Sequence, residues 1–331
     1  MSLKTLGPRL TCCLSIAIFA FSAPGCGKKS DSKSRPSQTR AGFSVSPVSP
    51  TGRIIGDRDL PSNPNVGLGR PRGEEDTEVL ISRNQNVVAW SLEHRGPNWV
   101  AWRLKDSDLG SVRRTNAFAV DPELEEYLAG RGSHAVAPQD FQGSCLDRGH
   151  MTPSADRTAS TAENRQTFLM SNMVPQTAHL NRVIWESFEE HERNLVRGTD
   201  QTIFIVAGSI FAEHPGHIGP DKDIAVPAMN FKILFQSDGA RASRPKVLAA
   251  VLMANTTSTG SDPVIDHEQA CADSKANFAP VRVPAAIGVG PQLFTADAPI
   301  TGRPANDAWE SYRTSVGEIA QATGLDFSFA Q

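Results

Sequence analysis

The stretch SCLDRGHMTPSADR, Ser144 to Arg157, sets Asp147, Arg148 and His150 within four consecutive positions, with Gly149 between the two cationic side chains. Met151-Thr152-Pro153 follows and cannot continue a helix smoothly, so the cluster reads as the end of a strand. Burying a core requires none of these three residue types. An imidazole titrates near neutrality and can exchange a proton with water. A guanidinium presents a planar fork that matches two oxygens of an oxyanion, and a lysine would not replace it well. The chemistry on offer is proton transfer beside a bound anion.

The strongest helical pattern lies about thirty residues downstream, in TAHLNRVIWESFEEHERNLVRG. Leu180, Ile184, Phe188, His191 and Leu195 form one apolar stripe at 100° per residue, and Gly198 stops the helix. Asn181, Trp185 and Glu189 follow one another at four-residue spacing along one flank of that stripe. An asparagine at the edge of an apolar face needs a hydrogen-bond partner or a metal. Taken singly, each residue has an ordinary structural reading. His150 could be a core histidine, Arg148 an ion pair with Asp147, Asn181 a loop cap, and Glu189 one of the solvated acids in FEEHER.

Other elements must hold these two segments together. EVLISRNQNVVAWSLEH and NWVAWRLKD read as strands, with Gly96-Pro97-Asn98 as the turn of a hairpin. TIFIVAGSIF, AMNFKILFQ and PKVLAAVLMAN read as three further strands. FAVDPELEEYLAGRG reads as a loop and a short helix stopped by Gly130. Strands with helices inserted between them predict an α+β fold around a mostly antiparallel sheet.

Together, DRGHM, SNMVPQ and LNRVIWESFEEHER resemble the DNA/RNA non-specific endonucleases of the ββα-metal, or His-Me finger, superfamily. Secreted bacterial sugar-non-specific nucleases and the endonuclease G group belong to it. The resemblance runs over roughly residues 98–255 and takes in AGSIF and VPAMNFKI as well. It implies a ββα-metal nuclease fold, a mostly antiparallel central sheet flanked by helices, and metal-dependent hydrolysis of DNA or RNA. Carried over residue by residue, His150 would be the general base and Asn181 the direct ligand of one divalent metal ion, with Mg²⁺ expected and Mn²⁺ also suitable. Glu189 would hold metal-bound water. Arg148 would contact the substrate phosphate, and so would Arg114, with Arg113 close behind it. Asp147 would orient the loop, and Asn172 and Gln176 of SNMVPQ would support the site. Gly149 would let the strand end turn so that Arg148 and His150 reach one phosphate. The family includes dimers, so a homodimer is a further expectation.

The ends of the 331-residue chain carry a different kind of signal. Lys4 and Arg9 precede the apolar run LTCCLSIAIFAFSA, and APGC follows. Residues 1–26 are therefore expected to be an export signal, either with lipid attachment at Cys26 or with ordinary cleavage near Ala23. The mature chain would be a cell-envelope lipoprotein or a periplasmic or secreted protein. Residues 27–76, rich in Ser, Pro, Gly, Arg and Lys, are expected to be a disordered polar linker, and residues 77–331 the endonuclease domain. Outside the leader only Cys145 and Cys271 remain, and an oxidising compartment makes them candidates for one disulfide.

A net charge of −3 argues against a globally basic nucleic-acid binder, so affinity for a polyanion must come from a local patch or a metal. RTNAF, DRGHM and ADRTAS are expected to form that basic rim. There is no Gly-x-Ser-x-Gly elbow and no His-Glu-x-x-His helix to support another hydrolase. The alternative is a catalytically inactive cell-envelope protein that binds nucleic acid with the same fold. Loss of His150 or Asn181 would mark it, and both are present.

Overall fold

The computed structural model describes residues 54–73, 77–237, 244–260, 265–278 and 309–330. The expected export signal, with Cys26, and residues 27–53 of the expected linker lie outside the described residues.

Four strands come first: β1 (Ile54–Ile55), β2 (Glu78–Ser82), β3 (Val87–Ser91) and β4 (Gly96–Lys105). The short helix α1 (Pro122–Ala129) follows, then β5 (Asp147–His150), α2 (Thr161–Gln166) and β6 (Met173–Gln176). A π-helical stretch, Leu180–Trp185, runs directly into α3 (Glu186–Val196). Next are β7 (Thr202–Ile210), β8 (His217–Ile218), β9 (Ile224–Ala225), β10 (Met229–Gln236) and β11 (Lys246–Ala254). Two helices, α4 (His267–Lys275) and α5 (Val316–Thr323), come last among the described residues.

Seven strands form the central sheet in the order β1-β2-β3-β4-β7-β10-β11. Every neighbouring pair is antiparallel except β1 with β2. Its strands are apolar at nearly every position because both faces are covered. In β4, Val100, Trp102 and Leu104 join the cluster that includes Met151, Leu180, Ile184 and Phe188. Trp99 and Ala101 point the other way, into a cluster with Ile319, Leu325 and Phe327 of the C-terminal segment. The two-residue side-chain period of a strand divides one apolar run between two cores.

Three expectations change here. Gly96 and Pro97 lie inside β4, and the reversal of the chain is the four-residue turn at 92–95, where Arg95 adopts φ 54°. The run EVLISRNQNVVAWS is itself a hairpin, β2 with β3. The folded region also begins well before residue 77. Ile54 and Ile55 pair with Leu80 and Ile81, Leu60 is buried, and Asn65 Nδ2 donates to the Arg83 and Asn84 carbonyls at 3.1 and 3.0 Å. Turn-rich composition hid this segment, because a strip that docks on an existing sheet edge needs few apolar residues of its own.

A buried ion pair joins the start of the sheet to α1. Arg83 Nη1 and Nη2 donate to the two Asp121 oxygens at 2.6 and 2.7 Å, and both side chains are buried. Asp121 also caps α1 through the Glu123 and Leu124 amides and accepts from the Ser171 hydroxyl. Burial alone would raise its carboxyl; Arg83 and Ser171 outweigh that and hold it below its usual range. Arg83→Ala leaves this carboxylate buried without its cation, and the expected loss is roughly 3–5 kcal/mol of unfolding free energy. Urea denaturation of the two proteins measures it, and a loss under about 1 kcal/mol would contradict this account.

Candidate active site

The site is built from a strand pair and the helix after it. β5 pairs antiparallel with β6, in the register Asp147 with Gln176, Arg148 with Pro175, Gly149 with Val174 and His150 with Met173. The π-helical stretch and α3 then return beneath this ribbon. Trp185 is fully buried there and donates from Nε1 to the His150 carbonyl at 3.1 Å, which ties the helix to the last residue of β5. The expected regular helix is thus π-helical over Leu180–Trp185, a wider turn of the kind that recurs at functional sites. Trp185 leaves the flank expected for it and enters the core.

A cleft of about 390 Å³ opens beside this unit. Arg114, Asp147, Arg148, His150, Asn181 and Glu189 all line it, together with Phe118, Arg182, Glu186 and Arg193. Arg113, the other candidate, is exposed and does not line the cleft. Arg114 is steered inward by Asn116 Oδ1 and by Ser154 Oγ, to which it donates at 2.9 and 3.0 Å.

His150 is only 6 % exposed, and its Nε2 is buried without a hydrogen-bond partner in the structure. Edge-on contacts from Phe118 and Phe168, with centroids at 5.7 and 4.8 Å, hold the ring. Burial first, then the charges of Arg114 and Arg148, push its pKa well below the ordinary 6.5, so the imidazole is neutral near pH 7. Arg148 lies over the Phe118 ring, with the guanidinium carbon 4.0 Å from the ring centroid. This contact holds the guanidinium at the cleft wall.

Asp147 does not pair with Arg148. Its two oxygens take Arg182 Nη2 and Nε at 2.6 and 2.8 Å, and Oδ2 also accepts Asn181 Nδ2 at 2.8 Å. With the amide nitrogen committed to Asp147, the Asn181 carbonyl oxygen is the end left for another partner. Arg182 donates in addition to the Ser274 carbonyl of α4 at 3.1 Å. A disulfide between Cys145 and Cys271 joins α4 to the chain just before β5. The structure thereby brings α4 to the back of the Asp147–Arg182–Asn181 cluster.

Asn172 and Gln176 stand behind the cleft rather than in it. Asn172 Oδ1 accepts the Thr152 amide at 3.0 Å, and its Nδ2 donates to the Thr152 and Thr167 carbonyls, pinning the turn after His150. Gln176 donates to Asn230 Oδ1 at 3.1 Å and lies flat across Gly149. A Cβ at residue 149 would stand 2.0 Å from Gln176 Oε1. Gly149 is therefore needed for close approach inside a regular strand, not for the sharp turn expected of it. Arg157, expected on the basic rim, is buried and donates to the Gln85 and Arg103 carbonyls.

The description "DNA/RNA non-specific endonuclease" belongs to the family model that matches residues 70–330. The chain belongs to that family. A nuclease of Nostoc sp. is 31 % identical over 267 residues, covering 78 % of each chain. Mitochondrial endonuclease G of Bos taurus is 27 % identical over 249 residues, covering 70 % of this chain and 79 % of that one. Among solved structures, a complex of EndoG with EndoGI superposes with TM-score 0.53 and 19 % identity, over 81 % of this chain and 90 % of that one, a likeness of fold. The chain is an endonuclease with a ββα-metal fold, β5, β6 and the long helix forming its ββα unit.

Some polar groups in and behind the endonuclease's cleft were not singled out from the sequence. Arg182 and Arg193 were hidden by being two of many charges on a charged helix. Glu192 and Lys232 are fully buried, with Lys232 Nζ 2.9 Å from Glu192 Oε1. One signal was available for Lys232: a lone lysine in the middle of the apolar run MNFKILF. Glu189 is half-buried beside them, at the wall of the cleft. Burial raises its carboxyl, Lys232 and Arg193 pull it down, Asp156 and Glu186 push it up, and the result is about 7.

Proposed function

We propose that this endonuclease hydrolyses phosphodiester bonds of DNA and RNA with little sequence preference, using His150 as the base that activates water and a divalent metal ion held at Asn181. The observation that carries this reading is the neutral His150 imidazole in a cleft lined by Arg114 and Arg148. A neutral imidazole in that setting has the right protonation state to accept a proton near neutral pH.

The residues present fit a hard divalent cation. The free end of Asn181 is a neutral carbonyl oxygen, and Glu186 and Glu189 add carboxylate oxygens to the same cleft. Among the described residues no thiolate lines it, and oxygen donors of this kind suit Mg²⁺ or Mn²⁺. When bound, the metal supplies charge stabilisation for the phosphorane and for the leaving 3′ oxygen. The protein groups do the rest. Arg148, held against Phe118, grips two non-bridging phosphate oxygens, and Arg114 adds a second cation. His150 takes a proton from the attacking water. Asp147 holds the Asn181 carboxamide in one orientation, and Arg182 holds Asp147. Glu189 orients water about the metal site.

Weak sequence preference follows from contacts made to phosphate rather than to base edges. We further read the protein as exported, by the signal expected in residues 1–26. A disulfide in the catalytic unit accords with an oxidising compartment.

Plasmid DNA and total RNA incubated with the protein test the central claim. Degradation of both with Mg²⁺, and intact nucleic acid with EDTA, are expected. Equal degradation with EDTA would remove the metal from the mechanism. Intact nucleic acid with every divalent metal tried would favour the inactive binding protein.

A further inference from the structure

An α-helix turns about 100° per residue, so a regular helix would set Glu189, Arg193 and Glu186 about 80°, 120° and 140° round from Asn181. One wall of a cleft does not collect so wide a spread, yet all four residues line it. The π-helical stretch Leu180–Trp185 accounts for this. Its turn closes from residue i to i+5 rather than i+4 and so takes up one additional residue, or about 100° of rotation. With that rotation removed from Trp185 onward, Glu189, Arg193 and Glu186 come to about −20°, 20° and 40° from Asn181. The burial pattern agrees. On the same count Trp185, Phe188, Glu192 and Val196 share a separate sector about 80° wide. All four are buried.

We propose that Glu186 is a further positioning residue of this endonuclease, turned into the cleft by the π-helical insertion, where its carboxylate draws the hydrated divalent cation to Asn181. The proposal rests on the metal reading above. Arg114, Arg148, Arg182 and Arg193 line the same cleft, and each repels a cation. The other acids there are already engaged. Asp147 is taken by Arg182 and Asn181, and Glu189 faces Arg193 at 4.0 Å and Lys232 at 3.9 Å. Glu186 has no hydrogen bond or ion pair among the described residues. Of the four residues that share the cleft face of the helix it is the exposed one, so it stands at the mouth, with half-buried Asn181 and Glu189 further in. Its charge is felt at both Arg114 and Glu189. Magnesium-like ions keep several of their waters, so a carboxylate at the mouth acts on the cation by charge and through shared water without ligating it.

Calorimetric titration of Mn²⁺ into the metal-free protein, without nucleic acid, tests this. Glu186→Gln should bind Mn²⁺ about three- to tenfold more weakly than the parent at low ionic strength, and the difference should shrink as salt is raised. Glu186→Asp keeps the charge and should recover most of the loss. Glu190→Gln removes the same charge from the next exposed acid of α3, which does not line the cleft, and should bind as the parent does. A merely structural role for Glu186 predicts an affinity indifferent to charge at this position and to salt. Equal affinity in the parent and Glu186→Gln, or an equal loss in Glu190→Gln, overturns the proposal and leaves the ligand role of Asn181 standing. A parent protein that binds no divalent metal overturns the metal reading of the cleft and this proposal with it.

Discussion

His150→Ala is expected to slow cleavage of DNA and RNA by about 10²–10⁴-fold, the usual contribution of a general base, with the fold retained. The ring is held by Phe118 and Phe168 rather than by a hydrogen bond at Nε2. Its removal leaves a small void beside two aromatic rings and no buried unsatisfied group. His150→Asn should be equally slow, because it keeps a polar side chain without a base near neutrality. The pH dependence sharpens the test. Burial and the two arginines depress the His150 pKa, so the base form is complete from well below 6.5 upward. His150 therefore should not set the acid limb of the parent's activity. Glu189, ionising at about 7 without metal, is the group that should, shifted lower once a cation is bound. Initial rates on plasmid and RNA from pH 5 to 9, with circular dichroism to monitor folding, provide the check. A variant within tenfold of the parent across this range would remove His150 from the base role.

Asn181→Ala should lose about 10³-fold in activity together with its response to Mg²⁺ or Mn²⁺. Several kcal/mol of charge stabilisation are attributed to a metal in such reactions, and about 4 kcal/mol corresponds to that factor. The geometry suggests a second substitution. Asn181 Nδ2 donates to Asp147 Oδ2 at 2.8 Å. Asn181→Asp would set two carboxylates against each other there, so a better ligand by charge should be a worse one in place. It is expected to bind metal more weakly than the parent despite its added charge. Calorimetric titration of metal into each protein, without nucleic acid, separates binding from turnover. Unaltered metal affinity in Asn181→Ala would move the ligand role elsewhere in the cleft, where Asp147, Glu186 and Glu189 are the acidic groups.

Both experiments concern residues whose placement was legible in the sequence, for a local reason. In a strand, positions i and i+2 share a face, so Arg148 and His150 point together once Asp147–His150 is extended. On the following helix, Asn181 and Glu189 lie near enough in sequence to reach one cleft. The α+β class was legible too, because apolar runs of strand length alternated with turn residues.

Partnerships across long separations were not legible. Asp147 had a neighbouring arginine in sequence, yet Arg182 takes it, because a side chain adjacent along a strand points to the other face. Arg114 and Arg113 are distinguished by Ser154, forty residues from Arg114, which faces only one of them. The need for glycine at 149 arises from Gln176 on the paired strand, a contact fixed by the β5–β6 register. Lys232 meets Glu192 only because β10 lies in the sheet beneath α3, and nothing in either segment names the other. The strip at 54–73 has too little apolar periodicity to announce itself and is ordered by a sheet edge contributed by β2. Residue types and short spacings determined which groups this endonuclease has for chemistry; strand register and helix packing decided which charges meet, since those contacts exist only after the chain has folded.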